Sequence, residues 1–159
     1  TNNKLFKETN FALNEVAVSK NDTSSMIRID AFVDEEYLNT YWADGLVVST
    51  PTGSTGYSLS CGGPIIMPGT NNIIITPNAP HNLNVRPIVI DDNSVVKLKV
   101  EDRDQLALVS LDSRSRAFDS GTELTIKKAK FKIKLVQPQN NSFTSTIRHK
   151  LMWGLDKRS

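Results

Sequence analysis

The densest concentration of groups able to handle a ligand lies in residues 44–64, which read Asp44-Gly45-Leu46-Val47-Val48-Ser49-Thr50-Pro51-Thr52-Gly53-Ser54-Thr55-Gly56-Tyr57-Ser58-Leu59-Ser60-Cys61-Gly62-Gly63-Pro64. The pattern is a short strand, a turn of small residues, one or two helical turns and a glycine exit. Gly53 and Gly56 are expected to reach positive φ and to let a ligand approach the backbone closely. Ser54 or Thr55 is placed to cap the short helix, whose first amides would then point outward as free donors. Ser49, Thr50, Thr52, Ser58 and Ser60 add hydroxyls, and Tyr57 offers a flat face to a base or a sugar. No Lys or Arg occurs from Ala43 to Val85, and Asp44 is the only formal charge there. The phosphate-loop pattern G-x-x-x-x-G-K-[ST] does not occur. Such a loop suits a neutral, hydroxyl-rich group such as a nucleoside, not a triphosphate held by a lysine. A tight structural turn between strand and helix is the plainer alternative, and residue chemistry leaves both open.

Three further segments carry polar groups in suggestive settings. Asn14 and Glu15 stand between Leu13 and Val16 in an apolar strand, so one of them tends to face inward. A buried carboxylate needs a partner, and ribose hydroxyls are natural ones; a strand edge or bulge with Glu15 in solvent is the alternative. Ser110-Leu111-Asp112-Ser113-Arg114 ends a strand, and Pro77-Asn78-Ala79-Pro80-His81-Asn82 is a proline-bounded loop. Either reads equally well as an ordinary polar turn. His81 has no Cys or second His at ligand spacing, so no metal site is expected. With His81 and His149 the only histidines, no Ser-His-Asp arrangement is legible.

The elements that must position these groups read mostly as strands. Residues 11–18, 26–33, 37–41, 46–49, 73–76, 88–90, 95–100, 106–111, 123–126 and 130–136 are strand candidates, separated by turn signals such as Lys20-Asn21-Asp22 and Asp34-Glu35-Glu36. Val96, Leu98 and Val100 share one face of their strand, with Lys97 and Lys99 on the other. In residues 128–135 Lys128, Lys130, Lys132 and Lys134 alternate with Ala129, Phe131, Ile133 and Leu135, which reads as a solvated sheet face and less well as a basic binding stripe. Helices are expected only within residues 55–61 and 145–153, the latter with Ile147, Leu151 and Met152 near helical spacing and Gly154 as a stop. Many short strands with frequent turns imply a mainly β fold, sandwich-like, with one or two short helices.

Length and composition fit one ordinary domain: 159 residues, 38% apolar, 23% charged. A net charge of +2 is too small to argue for nucleic acid or an anionic membrane. Cys61 is the only cysteine, so an internal disulfide is impossible and a reducing, cytoplasmic setting is expected. No apolar run approaches the ~20 residues of a membrane helix. Thr1 in place of an initiator Met suggests an internal fragment, with an N-terminal portion lying outside it.

Taken in order, Leu13-Asn14-Glu15-Val16, residues 44–60, Gly62-Gly63-Pro64, Pro80-His81-Asn82-Leu83, Arg86-Pro87 and Ser110-Leu111-Asp112-Ser113 resemble the NAD kinase family, over about residues 10–155. The resemblance implies a C-terminal β-rich, NAD-binding and oligomerising domain. It also implies transfer of a phosphoryl group from ATP or polyphosphate to the 2′-hydroxyl of the adenosine ribose of NAD, giving NADP with Mg²⁺ assisting. It further implies a homodimer or homotetramer. By position, Asn14 and Glu15 would bind the nucleoside part of NAD. Thr55, Gly56, Tyr57, Ser58, Leu59 and Ser60 would line the adenine and ribose pocket. Asp44 would meet the dinucleotide at its nicotinamide end, within one subunit or from a neighbour. Asp112, Ser113 and Arg114 would lie near the ribose 2′ position, with Ser25 and Trp42 bordering the site.

Gly56 and Cys61 stand where the family more commonly has alanine, both being small replacements. The family's Gly-Gly-Asp-Gly-type loop, which supplies the catalytic aspartate from an N-terminal α/β domain, does not occur in this sequence. No catalytic residue is therefore expected in this chain, which is expected to fold but not to catalyse alone. Two other classes remain in play: a related lipid or sphingoid-base kinase domain, and a non-catalytic assembly domain. Phosphorylation of diacylglycerol-like substrates would mark the first; failure to bind NAD or NADP, the second.

Overall fold

In the computed structural model, which describes residues 5–21, 25–101, 106–134, 136 and 142–153, the chain forms two antiparallel sheets packed face to face. The larger has six strands in the order β6-β5-β4-β1-β8-β9. These are β1 (Glu15–Lys20), β4 (Gly45–Ser49), β5 (Asn72–Asn78), β6 (Ile88–Asp91), β8 (Leu106–Leu111) and β9 (Arg114–Asp119). The smaller has four, in the order β10-β7-β2-β3: β2 (Ile27–Val33), β3 (Glu36–Ala43), β7 (Val96–Glu101) and β10 (Glu123–Ile126). The mainly β, sandwich-like expectation is borne out.

The period of two along each strand decides which side chains meet in the middle. Val18, Leu46, Val48, Ile73, Ile75, Ala107, Val109 and Phe118 project from the six-stranded sheet. They meet Ile27, Ile29, Ala31, Tyr41, Val96, Leu98, Val100 and Leu124 from the four-stranded one. β4 lies at the centre of its sheet and is buried on both faces, because a short helical segment covers its outer side. That segment is a 3-10 turn, Thr52–Thr55, followed by α1, Tyr57–Ser60. Ser58 is fully buried and shares a 2.9 Å hydroxyl contact with Thr76 of β5, anchoring α1 to the sheet.

Several boundaries differ from the sequence expectation for identifiable reasons. Residues 11–14 stay outside β1, because the amides and carbonyls of residues 13 and 14 bond to the Asp112 turn and to Thr50 instead of a ladder. β9 was not expected: its Arg-Ser-Arg-Ala-Phe-Asp sequence is polar because it is an edge strand, with Phe118 alone buried. The expected strand over residues 130–136 does not form among the described residues. Lys128, Lys130, Lys132 and Lys134 are exposed, but so are Phe131 and Ile133, so this is no solvated sheet face. Alternation alone does not make a strand without a neighbour to pair with; Phe131 instead packs edge-on against Phe11 at 5.2 Å. Leu135 lies outside the described residues. The second helix, α2 (Phe143–Lys150), starts two residues before its expected range, because the Ser142 hydroxyl caps it by accepting the Ser145 amide at 3.1 Å. Gly154, its expected stop, lies outside the described residues. Among the described residues no helix is long and apolar enough to cross a membrane.

Candidate functional site

The outer face of the six-stranded sheet, where β1 starts and β4 ends, brings together the two segments singled out by their chemistry. β1 pairs with β4 so that Glu15 stands opposite Ser49. The turn after β4 then folds back over the start of β1. Gly53 is required at this crossing by contact, not by backbone sign: a Cβ there would sit 2.1 Å from the carbonyl oxygen of Asn14. The expectation of positive φ at Gly53 and Gly56 is not met, since among the described glycines only Gly62, Gly69 and Gly121 adopt it. Gly56 has φ −100° and is itself the N-cap of α1.

The expected side-chain cap by Ser54 or Thr55 is also absent, because the Ser54 hydroxyl is engaged elsewhere. It donates to the Pro51 carbonyl at 2.7 Å and accepts the Ile66 amide at 3.0 Å, closing the loop after α1 onto the turn before it. The first amides of α1 are not all free donors, since the Tyr57 amide lies against the Glu15 carboxylate. A carboxylate at this end of a helix is favourably placed.

Glu15 carries a perturbed carboxyl group. Burial pushes its carboxyl up from the ordinary value, the neighbouring Asp112 charge pushes it the same way, and the Tyr57 amide pulls it partly back. Its Oε2 is buried without a hydrogen-bond partner, as is the Ser49 Oγ on the paired strand. A Cβ at position 56 would lie 3.3 Å from that Oε2, so Gly56 leaves the oxygen room. Two orphaned polar atoms on paired positions describe an incomplete polar surface, of the kind that a ligand hydroxyl or a water completes.

A second group of residues lies at the far end of α1. The Tyr57 hydroxyl accepts from the Asn78 side chain at 2.9 Å, and the ring stays 40% exposed. Burial raises the Tyr57 pKa first, then contact with Cys61, then the Asp44 charge, which puts Asp44 in its neighbourhood. Asp44 pairs with Lys20 at 2.7 Å, and its amide donates to the Asn78 carbonyl at 3.0 Å. Trp42 is exposed on β3, and its carbonyl accepts the His81 amide at 2.8 Å. Tyr57 thus bridges two clusters, its amide on Glu15 and its hydroxyl on Asn78.

Not every expected site residue is presented to a ligand. Thr55, Gly56 and Ser60 are exposed and Leu59 is half-buried along α1. Ser58 faces inward on Thr76, so its hydroxyl serves the packing of α1 instead of an open pocket. Asp112 is at the site, but its carboxylate accepts the amides of Leu13, Asn14 and Glu15 at 3.0, 2.8 and 3.2 Å. Arg114 grips the carbonyls of Thr9 and Phe11, and Ser113 is exposed at the tip of the same turn. Ser25 is half-buried just ahead of β2, at the end of the four-stranded sheet where β2 begins opposite Ala43. The sequence offers Thr50 among the loop hydroxyls and Asn78 in a proline-bounded loop, but announces neither the bracing role of Thr50 nor the contact of Asn78 with Tyr57. Thr50 accepts the Gly53 amide at 3.1 Å and donates to the Leu13 carbonyl at 2.8 Å, a role that no local spacing announces.

Among the described residues no group of three or more His, Cys, Asp or Glu is arranged to hold a metal ion.

Known proteins resemble this chain in sequence and in fold. The NAD kinase of Flavobacterium psychrophilum is 57% identical over 153 residues, covering 96% of this chain and 52% of that protein. That of Cytophaga hutchinsonii is 55% identical over 156 residues, covering 98% and 53%. The chain therefore spans about half the length of the curated relatives it matches. The crystal structure of yeast NADH kinase complexed with NADH superposes with a TM-score of 0.84 at 27% identity, over 92% of this chain and 46% of that one. An NAD kinase from Archaeoglobus fulgidus in complex with ATP gives 0.69 at 35%, over 76% and 46%. The family model described as ATP-NAD kinase C-terminal domain matches residues 13–138, from the Asn14-Glu15 turn to beyond β10, and the chain belongs to that family.

Proposed function

We propose that this chain is the nucleotide-binding, C-terminal part of an NAD kinase. The enzyme would phosphorylate the 2′-hydroxyl of the adenosine ribose of NAD to give NADP, with ATP or polyphosphate as donor. The observation that carries this reading is the meeting of the Asn14-Glu15 turn with the 52–60 helical segment around a buried, unpartnered Glu15 oxygen. A carboxylate oxygen held there without a protein partner suits a ribose hydroxyl as donor. The exposed Tyr57 ring beside it suits an adenine face.

In this reading Asn14, Glu15, Thr55, Gly56, Tyr57, Leu59 and Ser60 hold the nucleoside. Ser58 supports them from beneath. Asp44, with Trp42 and Ser25 nearby, borders the far end of the dinucleotide, within one subunit or from a second copy in a homodimer or homotetramer. Phosphoryl transfer depends on aligning acceptor and donor and on neutralising the transferring group. This chain's residues would do the first, binding and orienting the acceptor ribose. The described residues do not fit a Mg²⁺ site, so no step is assigned to a metal here. The catalytic aspartate is assigned to an N-terminal α/β domain and the enzyme to the cytoplasm.

Calorimetric titration of the chain with NAD and NADP tests the proposal, beside a Thr55→Trp variant. Thr55 is exposed next to Gly56, so the indole is expected to fill the pocket without disturbing the core. Binding by the parent that falls at least tenfold in the variant is the expected result. Equal binding by both would place the nucleotide elsewhere.

A further inference from the structure

The backbone of residues 13–15 is held on every side. Its three amides donate to the Asp112 carboxylate, Leu13 to Oδ2 and both Asn14 and Glu15 to Oδ1. The Leu13 carbonyl accepts the Thr50 hydroxyl, the Asn14 carbonyl the Thr50 amide at 2.9 Å, and the Glu15 carbonyl the Asp112 amide at 3.0 Å. Two residues, Asp112 and Thr50, therefore satisfy every backbone polar group of the segment. What the segment has left to offer is its side chains.

We infer that Asp112 is a positioning residue for nucleotide binding: its carboxylate does not meet the ligand but fixes the Asn14-Glu15 turn whose side chains do. The inference rests on the nucleotide-binding reading above.

The chemistry of the acceptor is specific. Only an ionised carboxylate offers two oxygens with room for three amides. Amide bonds to an ionised acceptor are roughly twice as strong as neutral ones. Asparagine at position 112 would keep the Oδ1 pair and present an NH₂ to the Leu13 amide, donor against donor. Asp112 also holds φ 52°, a left-handed conformation that Asp tolerates better than bulkier residues. That conformation turns its own amide onto the Glu15 carbonyl while the carboxylate reaches the amides. Arg114, two residues on, extends the grip upstream through the Thr9 and Phe11 carbonyls and stands 5.7 Å from the Phe11 ring centre. On the opposite side Gly53 presses directly on the Asn14 backbone. The turn is fixed between two layers, and its only adjustable parts are the Asn14 and Glu15 side chains.

The test compares NAD titrations of the parent, Asp112→Asn, Asn14→Ala and the double variant, with amide NMR spectra of each. The expected result is a loss of tenfold or more in affinity for Asp112→Asn. Amide shifts should change at residues 13–15 and stay unchanged in the core strands. Because Asp112 acts through the turn, the loss in the double variant should fall short of the two single losses multiplied together. Affinity unchanged in Asp112→Asn, or losses that multiply fully in the double variant, would overturn the inference. A second measurement needs no variant: on adding NAD to the parent, the Asp112 carboxyl carbon signal should stay in place while the Asn14 side-chain amide shifts. Movement of the Asp112 signal comparable to that of Asn14 would make it a ligand contact and sink the positioning role, even if Asp112→Asn fails to fold. If the parent itself binds no NAD, the nucleotide reading has failed first and the positioning role falls with it.

Discussion

Replacing Gly53 by alanine tests the crossing on which the site is built. The added Cβ would lie 2.1 Å from the Asn14 carbonyl oxygen, 2.5 Å from its carbon and 2.8 Å from its Cα. All three are backbone atoms, and the segment bearing them is tied to Asp112 and Thr50, so no side-chain rotation relieves the clash. Overpacking in well-filled sites costs about 1–3 kcal/mol, and a fixed backbone puts this case at about 3. For a chain of this length that corresponds to a fall in Tm of about 6–12 °C. Thermal unfolding followed by circular dichroism measures it, and NAD affinity should fall too, since relief requires moving Asn14. Gly62→Ala is the control: at φ +81° with nothing within 4 Å, it carries only left-handed strain, about 1–2 kcal/mol, and leaves the Asn14 amide signal in place. A Gly53→Ala chain with Tm within about 2 °C of the parent would refute the close approach, and with it the argument that the turn braces the Asn14 backbone.

Ser58→Ala leaves the Thr76 hydroxyl buried without its 2.9 Å partner, at a cost of about 1–3 kcal/mol in urea unfolding. Adding Thr76→Val should recover part of that loss, and a double variant less stable than Ser58→Ala would show that the pair is not what anchors α1. Glu15→Gln tests the electrostatics. Burial and the Asp112 charge raise the folded Glu15 pKa above its ordinary 4.5, so the parent holds this group's full contribution below 4.5 and loses it as pH rises through the folded value. A glutamine side chain does not titrate, so parent and variant curves of stability against pH should diverge upward from about pH 4.5, with the variant the more stable near neutrality. Parallel curves would contradict the burial of the carboxylate.

The sheets were legible in the sequence because their faces differ in polarity: Val96, Leu98 and Val100 against Lys97 and Lys99 predict an inward row, and all three are fully buried. β9 escaped notice for the converse reason, being an edge strand whose stability comes from pairing with β8 and not from its own apolar content. Residues 128–134 carry the same alternation as β7 and make no strand, since pattern supplies a face but not a neighbour. At the site, residue types singled out segments that the structure brings together, while the part each side chain plays there depends on contacts between positions far apart in the chain. Asp112 is 98 residues from Asn14, and Thr50 37 from Leu13. Sequence separation likewise hides the reason for Gly53, which is the distant Asn14 backbone it touches and not the φ it adopts.

The separation between Asn14 and Asp112 also has a kinetic meaning. The turn belongs to the beginning of the chain, but the carboxylate that holds it arrives only with the β8–β9 hairpin, after both sheets have been threaded together through β1 and β2. Contacts of such long range form late, because loop closure must come before any compensating interaction. Competence to receive a nucleotide is therefore expected as one of the last properties to appear during folding. A chain halted before β8 would own the whole glycine-rich motif and yet lack the carboxylate that holds the amides of Asn14 and Glu15.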